Sequence, residues 1–199
     1  VEAANAFLAI ENQYRVDHHG PEVMKIAKAK GIPHEYNLPQ HEKKVIFQQD
    51  GITITAFDVD HEPIEPAVGY AIAYKGRKVV LSGDTKRNAL VEEIAQGCDL
   101  LIHEVMLMSF QQKLEEELEN AGMERNAIIV HDIQDYHTDA KEVAELAQHA
   151  NVKKLVLHHL APVPDNRIVK DLYMEELKAF EGPTHLAKDG DVFIVGKND

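Results

Sequence analysis

Cysteine, tryptophan and positive charge are scarce in this chain. One cysteine in 199 residues excludes an internal disulfide and a cysteine-rich zinc module. Its setting in the apolar run GCDLLI makes Cys98 a small buried residue rather than a reactive thiol. Tryptophan is absent, and aromatics make up only 6%. Lys and Arg number 21 against 34 Asp and Glu, a formal net charge of −13. That field repels phosphate backbones and anionic membranes and leaves no basic nucleic-acid footprint. No apolar run approaches the roughly 18 residues of a membrane-spanning helix, and no basic n-region with an apolar h-region is visible. A membrane partner is therefore not expected, and the compartment stays open. No repeat, low-complexity tract or long polar linker divides the chain. With 44% hydrophobic residues it reads as a single domain over residues 1–199.

What is present has a clear order. Val1, Ala4, Phe7, Leu8 and Glu11 stand at helical spacing from the first residue, so the chain is expected to open inside an amphipathic helix. Pro21 and Gly31 bracket a short predicted helix. Two strands are predicted around Asp50 and Gly51, and a hairpin in VGYAIAYKGRKVVL turns at Lys75 to Arg77. The period then lengthens. TKRNALVEEIAQG places Leu90, Val91, Ile94 and Ala95 on one helical face and ends at Gly97. DLLIHEV is a buried strand, and SFQQKLEEELENAG a helix with Phe110, Leu114, Leu118 and Ala121 inward. HTDAKEVAELAQHA is a helix opened by an Asp139 and Glu142 capping box. KKLVLHHLAP returns to strand, IVKDLYMEELKAF is a helix, and THLAKDGDVFIV a hairpin turning at Asp189 and Gly190. Strands followed by helix and strand in alternation indicate an α+β or α/β sandwich.

Histidine is in excess, with 12 residues. His34, His41, His149 and His185 sit among charged or loop residues and read as surface. Others follow apolar strands: TITAFDVDH ends at His61 and LVLHHLAP at His158 and His159, while VVLSGDT ends at Asp84. Imidazole and carboxylate at strand ends are the ligand chemistry of zinc or another borderline divalent metal. Taken singly each has a plainer reading: His61 as a hydrogen-bonded surface group, Asp84 or Thr85 as a helix N-cap. The spacing is too long for a local motif, so these groups have to converge in the fold.

Four blocks in register, DHEPIEPAVGYAI, GRKVVLSGDT, DLLIHEV and YHTDAKEVAELAQHANVKKLVLHHLAP, resemble the metallo-β-lactamase-fold hydrolases of the ribonuclease Z and arylsulfatase-like branch. The resemblance implies an α+β, αββα sandwich, of which this chain would be the C-terminal two-thirds. In it His61 matches a ligand of the first metal, Asp84 the carboxylate bridging two metals, and His159 a ligand of the second. Glu104 and His137 match elements in which the His lies by the scissile group and the Glu orients it. His158 takes a threonine-like position and is expected on the opposite sheet face. The implied cofactors are two divalent ions, zinc or else manganese, acidifying a bridging water. The implied reaction is hydrolysis of a phosphodiester or related ester, with arylsulfate or lactone hydrolysis, or a non-catalytic remnant, as alternatives. A homodimer is the corresponding expectation for assembly.

Two departures matter. The HxHxDH loop of these enzymes is nowhere in the chain, and DHHG at 17–20 lacks its spacing, so the remaining ligands are expected upstream of Val1 and the chain alone is expected to be inactive. The long basic arm for tRNA is replaced by the turn of Lys75, Gly76 and Arg77. With the net charge of −13, that favours a small anionic ester over tRNA as substrate.

Overall fold

The computed structural model describes residues 1–23 and 32–196. Where the sequence reads as one domain, the chain divides into two compact units, Val1–Asn37 and Leu38–Asp199. The first carries helix α1 (Glu2–His19), which buries none of its side chains. It stops at Gly20, whose N–H donates to the Val16 carbonyl. The helix predicted from Pro21 to Gly31 begins as a turn at residues 21–23, and the rest of it lies outside the described residues.

The second unit is built on one sheet of seven strands in sequential order. Strands β1 (Lys43–Gln49), β2 (Ile52–Asp58), β3 (Val68–Tyr74) and β4 (Arg77–Leu81) pair antiparallel. Strands β5 (Leu100–Met106), β6 (Leu155–Ala161) and β7 (Thr184–Leu186) continue the sheet in parallel from β4. The first hairpin turns as predicted: Asp50 and Gly51 both take left-handed backbone, φ 52 and 80, the requirement of a two-residue turn matched to strand twist. Parallel pairing needs crossovers. These are supplied by α2 (Ala89–Ala95), by α3 (Met108–Asn120), α4 (Glu124–Asp132) and α5 (Ala140–His149), and by α6 (Arg167–Glu176).

Helices α2, α5 and α6 lie on one sheet face. Val91 and Ile94, Val143, Leu146 and Ala147, and Tyr173 pack there with Phe57, Val80, Leu101, Leu155 and Leu157. Burying each large apolar side chain of this core is worth about 1.5–3 kcal/mol. On the other face Ile54, Ile72, Val79, Leu81 and Ile102 are only half buried. One sheet with its helical layer is half of the four-layer arrangement expected. Cys98 is fully buried at the foot of β5, and burial pushes its thiol up to about 11.

Four local expectations are corrected. Ala121 is exposed, and on α3 the fully buried residue is Gln111. Asp139 does precede α5, but its carboxylate leaves the helix end and accepts the Met108 N–H at 3.3 Å. Helix α4 went unpredicted because Ala127–Val130 is a consecutive apolar run, with Ile128 and Ile129 exposed. The C-terminal hairpin forms its turn but no second strand among the described residues. Asp191 is held instead by His185 Nε2 at 2.8 Å and by the Lys188 N–H at 3.0 Å.

Candidate functional site

One end of the sheet brings together His61, Asp84 and His137 from loops with Glu104 of β5 and His159 of β6. The loop after β2 carries His61. It is stitched to the loop after β4 by the Lys86 N–H donating to the Asp60 carbonyl (2.9 Å) and the Asp60 N–H donating to Thr85 Oγ1 (3.1 Å). Asp84 is presented by Gly83. That residue has φ +67, and a Cβ there would meet the Val68 carbonyl oxygen at 2.5 Å. The N-cap of α2 is Asn88, whose side chain accepts the Leu90 N–H at 2.8 Å. Asp84 and Thr85 are thus not the cap of that helix.

Glu104, on β5, is fully buried. Its Oε1 accepts the Thr138 N–H at 2.8 Å and the Thr85 N–H at 3.4 Å, and its Oε2 lies 3.2 Å from His137 Nδ1. Thr138 Oγ1 donates to the Thr85 carbonyl at 2.5 Å. With Oε1 satisfied by backbone N–H groups, Oε2 is left to accept from His137 and fixes Nδ1 as the protonated nitrogen of that ring. Nε2 of that ring is then the atom left for chemistry. His61 is oriented the same way: Nδ1 donates to the Tyr136 carbonyl at 3.0 Å, leaving the Nε2 lone pair outward, the tautomer a metal ligand requires. The His61, His137 and His159 rings follow one another at 5.3 Å between centroids.

A β-bulge places His159. Glu104 pairs with His158 and Val105 with Leu160, so His159 is the extra residue on β6, with φ 48. The bulge re-aims its side chain, and Nε2 comes within 3.6 Å of Asp84 Oδ2. It also breaks the alternation that was expected to send His158 away. His158 stands beside Glu104 in the register, and Asp84, His159 and Glu104 all act electrostatically on it. Burial nevertheless pulls its pKa below the usual imidazole range, and its Nε2 has no hydrogen-bond partner among the described residues.

His103 escaped the sequence reading. It is fully buried, donates Nδ1–H to the Glu104 carbonyl at 2.6 Å, and is held neutral by burial. Nothing in DLLIHEV distinguishes it from Glu104 except the alternation of the strand. His34, His41, His149 and His185 are exposed as expected, and His18 and His19 belong to α1 in the other unit.

Carboxylate and imidazole are the donors zinc or manganese would take. Asp84 and His159 are adjacent, yet among the described residues no three His, Cys, Asp or Glu side chains group as a metal site. The donors fit in kind and do not close around one point. Beside them opens a cleft of about 750 Å³ lined by His61, Glu62, Ile64, Lys86, Asp132 and Tyr136, among others.

Imidazoles and carboxylates gathered at one end of a sheet, on its strands and on the loops that leave them, stand where a rigid scaffold commonly carries its binding and catalytic groups. The family model described as Beta-lactamase superfamily domain matches residues 11–160, and the chain belongs to that family. The chain is 30% identical over 166 residues to the ribonuclease Z of Mycobacterium bovis (strain BCG / Pasteur 1173P2), covering 81% of this chain and 51% of the relative. It is 29% identical over 149 residues to the ribonuclease Z of Mycolicibacterium paratuberculosis, covering 75% and 46%. The chain thus spans about half the length of these curated relatives. The crystal structure of YhfI from Bacillus subtilis, a metallo-beta-lactamase fold protein, superposes with a TM-score of 0.55 at 21% identity. That match covers 74% of this chain and 52% of the other, and places the chain in the metallo-β-lactamase fold.

Proposed function

We propose that this chain carries part of the active site of a metal-dependent hydrolase cleaving a phosphodiester or related ester. The observation that carries the reading is the Glu104–His137 pair, a buried carboxylate 3.2 Å from Nδ1 of an imidazole, set next to Asp84 and His159. Its chemistry is general acid catalysis with an orienting carboxylate. A water adds to the central atom of the ester, the bond to the leaving oxygen breaks, and that oxygen takes the Nε2 proton of protonated His137. A proton of the water then restores the ring. Glu104 holds the ring in place throughout and stabilises the charge of its protonated form. Divalent ions of the family type, zinc or manganese, would supply Lewis-acid polarisation of the ester. His61, Asp84 and His159 are the donors proposed for them.

A small anionic ester is the substrate class we favour over tRNA, supported by the net charge of −13 and by the two-residue Lys75 and Gly76 turn between β3 and β4. The test is hydrolysis of bis(4-nitrophenyl) phosphate, 4-nitrophenyl sulfate and precursor tRNA by protein expressed from the complete reading frame encoding this chain, with zinc or manganese added. Asp84→Asn is expected to lower both turnover and bound metal at least tenfold. Unchanged turnover in that variant removes Asp84 from the site, and no hydrolysis of any ester leaves the non-catalytic reading standing.

A further inference from the structure

Tyr136 packs against two imidazoles of the site at once. It follows the short helical turn Ile133–Asp135 after α4 and directly precedes His137. Its ring meets the His61 ring edge to face, 4.9 Å between centroids and 88° between planes. The same ring lies 5.1 Å from that of His137 at 57°. With 5.3 Å between His61 and His137, the three centroids form a nearly equilateral triangle. All three separations fall in the range of roughly 4.5–7 Å at which aromatic rings attract. The Tyr136 hydroxyl has no hydrogen-bond partner among the described residues, so what the side chain offers the histidines is its ring.

Each of these two imidazoles makes one hydrogen bond among the described residues, His61 to the Tyr136 carbonyl and His137 to Glu104 Oε2, both through Nδ1. One bond fixes the tautomer and one ring atom. The ring can still turn about the N–H···O axis and carry Nε2 through an arc. A second contact has to stop that rotation, and Tyr136 gives it to both rings. The other ring beside His137 is that of His159, which is half exposed and stands on the bulge of β6, a less confined neighbour.

Resting on the hydrolase reading above, we infer that Tyr136 is a positioning residue whose ring locks the His61 and His137 imidazoles at one separation and orientation. It acts through those two rings and needs no contact with the attacking water or the leaving oxygen. Misplacing a reacting group by about 1 Å can cost on the order of 10²-fold in rate. The loss on removing the ring therefore belongs to kcat, with KM little moved.

The experiment uses protein expressed from the complete reading frame encoding this chain, with isotope-labelled histidine, and the variants Tyr136→Leu and Tyr136→Phe. Leucine keeps the backbone carbonyl and loses the ring, whereas phenylalanine keeps both. Tyr136→Met is a second ring-free variant should the first fail to fold. Nuclear magnetic resonance, without added metal, follows solvent exchange of the Nδ1 protons of His61 and His137. That exchange is expected to quicken at least tenfold in the ring-free variant and to return close to the parent rate in Tyr136→Phe. With bis(4-nitrophenyl) phosphate and added zinc, kcat is expected to fall at least tenfold in the ring-free variant at nearly constant KM, and Tyr136→Phe to recover most of it. Unchanged exchange on loss of the ring overturns the inference. So does a loss confined to KM, which would make the ring a wall for substrate, or Tyr136→Phe as impaired as the ring-free variant, which would put the role in the hydroxyl. If the parent protein hydrolyses no ester, the hydrolase reading falls, and the exchange rates alone then decide whether Tyr136 holds the two rings.

Discussion

Glu104 and His137 act as one unit, because the imidazole has its tautomer and orientation only while the carboxylate is there. Glu104→Gln and His137→Asn are each expected to lower kcat by about 10²–10⁴-fold. The double variant should be hardly worse than either single one, as for residues sharing a role. Steady-state rates on a diester substrate check this, and additive losses would separate the two residues. At this scale the sequence was legible where a residue type is rare for its position. His61, Asp84 and the pair His158 and His159 at the ends of apolar strands stand out, and the resemblance of the four blocks brought Glu104 and His137 with them. His103 was not legible, nor were the surroundings of His158, since what distinguishes them is burial and an orphan nitrogen, which depend on neighbours far along the chain. His159 was assigned by resemblance, while the reason it reaches Asp84 is a one-residue bulge that leaves no mark in LVLHHLAP.

Among the elements, the loop after β4 and the foot of β5 govern how well the site is held. Gly83→Ala is expected to cost more stability than Gly97→Ala. Both residues have left-handed backbone, but a Cβ at Gly97 meets open space while at Gly83 it meets the Val68 carbonyl oxygen at 2.5 Å. The left-handed conformation alone costs about 1–2 kcal/mol for a residue with a Cβ. Denaturant midpoints of the two variants measure the difference, and the Gly83 variant should also lose activity through displacement of Asp84. Asp99 is the second control point. Burial pushes its carboxyl up, but hydrogen bonds from Lys153, from the Lys78 N–H and from Arg77 outweigh it and hold the pKa at about 2. The folded value lies below the unfolded one of 3.8, so the stabilisation is complete above that pH and is lost as pH falls towards 2. Asp99→Asn should therefore destabilise by on the order of 2 kcal/mol near neutrality and flatten the acid limb of the stability curve. An acid limb unchanged in the variant would contradict it. Strand and helix order were legible from periodicity most clearly where an element, as α2, α5 and β6 do, presents an apolar face to the core. The failures, α4 and the last hairpin, are segments held by side-chain contacts rather than by an apolar face.

For the whole molecule, the excess of acidic residues sets long-range behaviour. Association with RNA is expected to be weak at low salt and not to show the steep salt-dependent loss typical of phosphate-neutralising surfaces. Filter binding of precursor tRNA between 50 and 200 mM salt checks it, and a steep loss over that range would reveal a basic surface. The network centred on Glu104 has another consequence. It joins Thr85, Glu104 and Thr138, whose separations along the chain are 19, 34 and 53 residues. His61 is fixed from Tyr136 across a separation of 75. Contacts this distant are closed late, after their loop entropy has been overcome. Glu104 and His137 are therefore brought into register by the tertiary fold and not by their neighbours in sequence, so a chain in which that fold is incomplete holds both side chains without the contact between them.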